Sequence, residues 1–256
     1  MTIRVAARLC WFLFEITLVI FSYFFTVVLP SGRNKQILRA EWLHRGCLRH
    51  LKIFNCVTTV TGPVPRTGLL VSNHLSYFDI LILCAVTPAV FVSKAEVRKW
   101  PVFGWVASRA GTVYVERARR THVGAVNREI EAALASGALV VVFPEGTSTN
   151  GEEILPFRSS LLEPVVVGSH PIAVSYLHYE LDDGDARNDV CYWGDHSFFP
   201  HMLHLLGKRR VRASVRFGTF QGTTDDRKEL AKQLREAVLQ LKEKPEAAIG
   251  SSASSA

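Results

Sequence analysis

Residues 138–148 read ALVVVFPEGTS: six residues without a polar side chain, then a proline, a carboxylate, a glycine and two hydroxyls. An apolar run this short, bounded by a glycine and a proline, is read as a strand. Having no polar alternation, it is buried on both faces, as strands of parallel sheets are. Glu145, Gly146, Thr147 and Ser148 then fall at the carboxyl end of a buried strand, where α/β proteins collect their ligands. A helix-capping turn is the alternative reading of the same four residues.

Outward from this strand the pattern repeats. Further apolar runs lie at 57–61, 68–72, 89–93, 111–115, 171–177 and 211–217, with helical stretches at 76–86, 95–109, 120–136, 158–166 and 197–207. Within 120–136, Val123, Val126, Ile130 and Leu134 recur at helical spacing and Gly137 supplies a stop. The alternation predicts an α/β fold, a largely parallel sheet flanked by helices. A last helix is expected over 225–244, capped by Asp225 or Asp226, with Leu230, Leu234, Val238 and Leu241 on its packing face. Residues 245–256 are low in complexity and read as a disordered tail.

Composition adds a surplus. Of 256 residues 48% are hydrophobic, more than a soluble core needs, and the net charge is +7. Both excesses lie at the N-terminus. Residues 1–56 hold eight basic side chains against two acidic, so six of the seven charges are there. Residues 9–29, LCWFLFEITLVIFSYFFTVVL, carry one formal charge, Glu15. As a helix this run would be about 31 Å long, near the hydrocarbon thickness of a bilayer. No small-residue cleavage site follows before Pro30-Ser31-Gly32, so the run is read as a membrane anchor, spanning or re-entrant, rather than a signal peptide.

Residues 34–54 place Ile37, Leu38, Trp42, Leu48 and Leu51 near a helical period among Arg39, Arg45, Arg49 and Lys52. This pattern suits a basic interfacial helix on a lipid surface, or an amphipathic helix packed on the body. The organisation is therefore an anchor plus basic helix over 1–56, a body over 57–244, and the tail. Basic residues after the anchor outnumber those before it, which puts the body on the cytoplasmic side of the membrane, the inner membrane in a bacterium. Membrane lipids are the partner implied, and nucleic acid is not. The five cysteines are scattered, none in a C-x-x-C pair, and no metal-ligand spacing occurs, so no metal is expected.

Three segments carry candidate chemistry. Residues 73–79, NHLSYFD, follow the strand 68–72 and open an apolar helix, with Ser76 as the expected cap. From the first helical turn Asp79 can reach back to His74, holding one ring nitrogen protonated and leaving the other to accept a proton; capping residues at a helix start are the alternative reading of the pair. This is a Ser-His-Asp arrangement without its serine, complete if the substrate brings its own hydroxyl. The second segment is the PEGTS turn. The third, GTVYVER at 111–117, delivers Arg117 at a strand end, where a guanidinium can grip phosphate with two hydrogen bonds.

Together these blocks resemble the glycerolipid and lysophospholipid acyltransferases, of the 1-acyl-sn-glycerol-3-phosphate O-acyltransferase type. The chain shows NH-x4-D at 73–79, G-x-x-[FY]-[IV]-x-R at 111–117, FPEGT at 143–147, and a weaker apolar block around Pro171. Lys94 and the Leu155–Arg158 segment sit where such proteins carry similar residues. The resemblance implies a membrane O-acyltransferase with His74 as general base and Asp79 orienting it. Acyl-CoA or acyl carrier protein would be the donor substrate, with no further cofactor and no acyl-enzyme.

The same resemblance makes Arg117, Glu145, Gly146, Thr147, Asn73 and Lys94 the substrate-binding set. Arg117 would hold an anionic headgroup, while Glu145 would hold a hydroxyl or organise the pocket. The implied acceptor is a lysophospholipid, 1-acyl-sn-glycerol-3-phosphate becoming phosphatidate. One departure matters: such proteins often follow FPEGT with a cation, whereas here Ser148 follows, and Arg158 is the candidate replacement. That keeps another lysolipid, such as a lyso-ornithine lipid, as an alternative acceptor. A membrane thioesterase or transacylase using the same residues is the other alternative.

Overall fold

The computed structural model describes residues 2–116, 123–222 and 224–243. Seven strands form one sheet: β1 (Cys56–Thr61), β2 (Gly68–Ser72), β3 (Val90–Lys94), β4 (Val113–Val115), β5 (Leu139–Val142), β6 (Ile172–Leu181) and β7 (Val211–Phe220), in the order β1-β7-β6-β2-β5-β3-β4. Every neighbouring pair is parallel except β6 and β7. The fold class is the one the alternation predicts, a mostly parallel α/β sheet flanked by helices.

Burial follows position in the sheet. Every residue of β2 and β5 is buried. Leu70 and Val141 face one layer while Leu69, Val71, Val140 and Val142 face the other. The first layer contains α2 (Lys35–Ile53), α3 (Phe78–Val86) and α8 (Phe198–Gly207); the second contains α5 (Val123–Ala135) and α9 (Arg227–Glu243). A leucine sealed on both sides, such as Leu70, contributes about 1.5–3 kcal/mol relative to exposure. The edge strand β1 alternates half-buried and exposed residues instead, and Val57 faces solvent. Its VTTVT run is a one-sided strand, contrary to the reading of burial on both faces.

Several element boundaries differ for local reasons. The stretch 95–109 is not one helix: a short 3-10 turn (Ala95–Lys99) precedes Pro101, and α4 (Phe103–Arg109) begins after Val102 at φ +63°. Proline lacks an N–H and disfavours a helical residue before it, which breaks the run there. The chain turns at Ala110 and Gly111, and Thr112 stays outside the sheet, so β4 is only three residues long. Residues 158–166 become a 3-10 turn (Ser159–Leu161) and α6 (Glu163–Gly168), and a short α7 (Ala186–Asp189) precedes α8. Of the two candidate caps of α9 it is Asp226 that serves, accepting the Lys228 N–H at 2.7 Å. The tail at 245–256 lies outside the described residues.

The N-terminal apolar run starts earlier than expected, as α1 (Ile3–Tyr23), and continues as a π-helical turn (Phe24–Val28). It is long and apolar enough to cross a membrane. One face rests on the body through Phe12, Glu15, Val19, Tyr23 and Val27, while Leu13, Phe14, Phe21, Phe24 and Phe25 are exposed. Glu15 pairs with Arg49 of α2 at 2.8 Å, and Trp42 Nε1 donates to the Val19 carbonyl at 3.0 Å. At the other end Arg8 donates to the Leu206 carbonyl at the close of α8. Helix α2 itself is packed into the body: Cys47, Leu51 and Ile53 belong to the same core as β2.

Candidate active site

The carboxyl ends of β2 and β5 are neighbours, since the strands pair in register from Gly68↔Leu139 to Val71↔Val142. The loop after β2 therefore meets the turn after β5. Asn73 continues the strand pairing with its side chain: Nδ2 donates to the Leu177 carbonyl at 3.0 Å, and Oδ1 accepts the Leu177 N–H at 2.7 Å. That fixes where His74 leaves the sheet.

Asp79, in the first turn of α3, is fully buried. Its Oδ2 accepts from His74 Nδ1 at 2.8 Å, the Leu75 N–H at 2.7 Å and the Ser76 N–H at 3.0 Å. The carboxylate has no proton to give, so Nδ1 carries one, and Nε2 is the ring nitrogen available to the cavity that His74 lines. The ring is stacked on Phe143, centroids 4.2 Å apart. Ser76 does not cap α3 with its hydroxyl, as its place in the sequence suggested. Tyr77 is the residue before the helix, and Asp79 takes the loop's N–H groups instead.

Glu145 is only 2% exposed, and both its oxygens are engaged by main chain: Oε1 accepts the His74 N–H at 2.7 Å and Oε2 the Leu155 N–H at 2.9 Å. Burial pushes its carboxyl up to about 7, against the pull of those two donors and of nearby His74. Gly146 turns the chain at φ +72°, a conformation glycine adopts without penalty. Beyond it the Thr149 N–H donates to the His74 carbonyl at 3.0 Å.

A third loop closes on these two. The Tyr192 N–H donates to the Leu75 carbonyl at 2.8 Å, and the Ser148 hydroxyl donates to the Tyr192 carbonyl. Tyr77 reaches His201, whose Nε2 faces the Cys191 carbonyl at 3.2 Å while Nδ1 faces the Tyr77 hydroxyl at 2.9 Å. A carbonyl only accepts, so Nε2 carries the proton and the Tyr77 hydroxyl donates to Nδ1. Burial, with His196 adding to it, lowers the His201 pKa to about 4 and keeps the ring neutral.

The cavity so formed holds about 220 Å³, and His74, Lys94, Phe143, Gly146, Ser148 and Arg158 line it together with Tyr192. Tyr77, Ile80, Ser93, Val97 and Trp100 are shared with a second, apolar chamber of about 160 Å³ that runs under α1 and α2. His74, Asp79, Lys94 and Gly146 thus come together as the sequence suggested. Asn73 and Glu145 do not line the cavity. Their polar atoms are taken up by main chain, so they hold the loops rather than a substrate. Thr147 is on the turn but not on the cavity wall. Arg117 lies outside the described residues.

Sequence reasoning missed Tyr77, Tyr192 and Trp100 on the cavity wall, and Tyr179 beneath Asp79. Tyr77 sits inside the NHLSYFD block. Tyr192 and Tyr179 come from segments about a hundred residues away, and no local pattern marks them.

A family model described as Acyltransferase matches residues 57–175. A lyso-ornithine lipid O-acyltransferase from Brucella abortus is 36% identical over 240 residues, 88% of each chain. Another from Pseudomonas aeruginosa is 35% identical over 211 residues, 80% of this chain and 78% of its own. A 1-acyl-sn-glycerol-3-phosphate acyltransferase from Neisseria meningitidis is 33% identical over 152 residues, 59% of this chain and 58% of its own. The crystal structure of the 1-acyl-sn-glycerophosphate acyltransferase PlsC from Thermotoga maritima aligns with TM-score 0.59 at 20% identity, over 94% of this chain and 99% of that one. That likeness is one of fold.

Proposed function

This chain belongs to the Acyltransferase family and is an acyltransferase, and from that premise we propose that it moves a fatty acyl group from an acyl thioester to the hydroxyl of a lysolipid. His74 is the general base. The observation that carries this is the 2.8 Å bond from His74 Nδ1 to buried Asp79, which leaves Nε2 to the cavity. The acceptor hydroxyl gives its proton to Nε2 as its oxygen attacks the thioester carbonyl carbon. The tetrahedral adduct then collapses, the C–S bond breaks, and His74 returns the proton to the departing thiolate. Ester and free thiol are the products, with no acyl-enzyme.

The oxyanion of the adduct needs donors. The N–H groups of His74, Leu75 and Ser76 are already engaged by Glu145 and Asp79. The Gly146 N–H is likewise taken by the Phe143 carbonyl at 3.0 Å, which leaves the Thr147 and Ser148 N–H groups of that turn as their source. The acyl chain takes the apolar chamber. Lys94 and Arg158 offer positive charge to the acceptor headgroup.

A lyso-ornithine lipid is the first choice of acceptor, because relatives with that name match this chain over four-fifths or more of its length. A 1-acyl-sn-glycerol-3-phosphate is the second reading. It is favoured by the Neisseria relative and by two cations that suit a phosphate as well as a carboxylate. The exposed apolar face of α1 lies in the membrane, and the basic residues after it hold the body on the cytoplasmic side.

The test is purified protein with each acceptor, offered acyl-CoA or acylated carrier protein, with products read by mass spectrometry. His74→Ala should lose at least about a hundredfold in turnover while staying folded. Full activity in His74→Ala overturns the mechanism. Free fatty acid as the main product would establish the thioesterase alternative instead.

A further inference from the structure

Behind Asp79 lies a residue that touches neither cavity. Tyr179, on β6, is 2% exposed, and its hydroxyl donates to Asp79 Oδ1 at 2.7 Å. The other oxygen, Oδ2, already serves His74 and two main-chain N–H groups. Tyr179 therefore supplies the bond to the oxygen those groups do not use. Burial, then the charge of Asp79, raises the phenol pKa well above its ordinary value, so the hydroxyl keeps its proton and remains a donor.

The scaffold makes this contact rigid. Strands β2 and β6 pair as far as Ser72↔Ser175, the Asn73 amide carries the pairing on to Leu177, and Tyr179 stands two residues further on the same face. From the far side β7 holds β6, with Leu177 opposite Val215 and Tyr179 opposite Ala213. One strand thus fixes both the start of the His74 loop and the carboxylate that orients its ring.

We propose that Tyr179 is a positioning residue of the reaction: its hydroxyl locks the Asp79 carboxylate in the orientation that presents His74 Nε2 to the acceptor. The proposal rests on the reading of His74 as base and Asp79 as its orienting acid. Without the hydroxyl, Oδ1 is left buried and unpartnered. The carboxylate can then rotate away from Nδ1 to find another donor, and the imidazole loses its fixed tautomer and direction.

Tyr179→Phe removes one hydroxyl and leaves the ring. It should lower kcat by about 10- to 100-fold, the loss of one hydrogen bond to a charged group, with KM for either substrate changed by less than about twofold. In an Asp79→Asn background the same change should cost nothing further, because no carboxylate remains to orient. Tyr176→Phe, on the same strand but the opposite face, should stay near parental activity and controls for damage to β6.

Melting curves taken alongside show that each variant is folded at the assay temperature. A purely space-filling or stabilising Tyr179 predicts a lower Tm with kcat retained, and that result overturns the proposal. So does a full multiplicative loss in the double variant, or a loss confined to KM. If His74→Ala is inactive and Tyr179→Phe behaves as the parent, only the role of Tyr179 falls. An active His74→Ala removes the base itself.

Discussion

Glu145 accepts the main-chain N–H of His74 at 2.7 Å, from a turn 71 residues further along the chain. With its other oxygen on the Leu155 N–H at 2.9 Å, one carboxylate ties the His74 loop, the turn after β5 and the segment leading to Arg158 into one unit. Glu145→Gln replaces one acceptor oxygen by an NH₂ group, so one of the two main-chain donors must face another donor. The expected result is a drop in kcat/KM of about tenfold or more, in line with a buried donor left unpaired. Steady-state kinetics on folded variant would check it, and unchanged kinetics would show that the turn holds itself.

The same carboxyl gives a pH-dependent stability with a defined sign. Its folded pKa, about 7, lies above the unfolded value of 4.5. Between those values the folded state binds more protons than the unfolded one, so the contribution of Glu145 to stability falls as pH rises through that window. Below about pH 4.5 the contribution is complete. Glu145→Gln has no such titration. The difference in Tm between parent and variant should therefore shift against the parent from about pH 4.5 to about pH 7, which scanning calorimetry across that range would reveal. A difference that is flat with pH contradicts the assignment.

What could be read from the sequence was local. Continuous apolar runs identify β2 and β5, because strands sealed on both faces tolerate no polar alternation. His74 and Asp79 are five residues apart, so their meeting is a property of one turn. The antiparallel entry of β7 beside β6 is not local, and neither is the length of β6. Both depend on pairing between residues about 30 to 50 positions apart. A carboxylate at a strand end looks the same in sequence whether it binds a hydroxyl or organises the pocket; the two main-chain donors on Glu145 decide between them. The break within 95–109 is local too, since Pro101 disfavours helix at the residue before it.

The apolar chamber yields a prediction about chain length. Ala107, on α4, lines it. Ala107→Phe places a ring in the space proposed for the acyl chain. Each methylene kept out of apolar surroundings forgoes about 0.8 kcal/mol, close to a fourfold loss in kcat/KM. Long acyl thioesters should be penalised by that factor for every excluded methylene, and short ones left unaffected. Competition between thioesters of different length, read by mass spectrometry, measures the shift. An equal loss at all lengths would place the chain elsewhere.

The seat of α1 on the body can be tested through its one carboxylate. Glu15 and Arg49 form an ion pair at 2.8 Å, but the two sides are unequally covered: the Glu15 side chain is 12% exposed and that of Arg49 40%. Removing Glu15 leaves a cation that still reaches water, at a cost of about 1 kcal/mol or less. Removing Arg49 leaves a largely buried carboxylate without its partner, at a cost of about 3 kcal/mol. Arg49→Gln should therefore destabilise the protein clearly more than Glu15→Gln, although each deletes the same pair. In the double variant the orphaned charge is gone, so most of the Arg49→Gln loss should be recovered. Denaturant unfolding in detergent would measure all three. The turn at residues 29–34, which joins α1 to α2, should become more open to protease in Arg49→Gln first. Equal losses from the two single variants would mean that α1 is held by the packing of Phe12, Val19 and Tyr23 alone, with the ion pair contributing nothing.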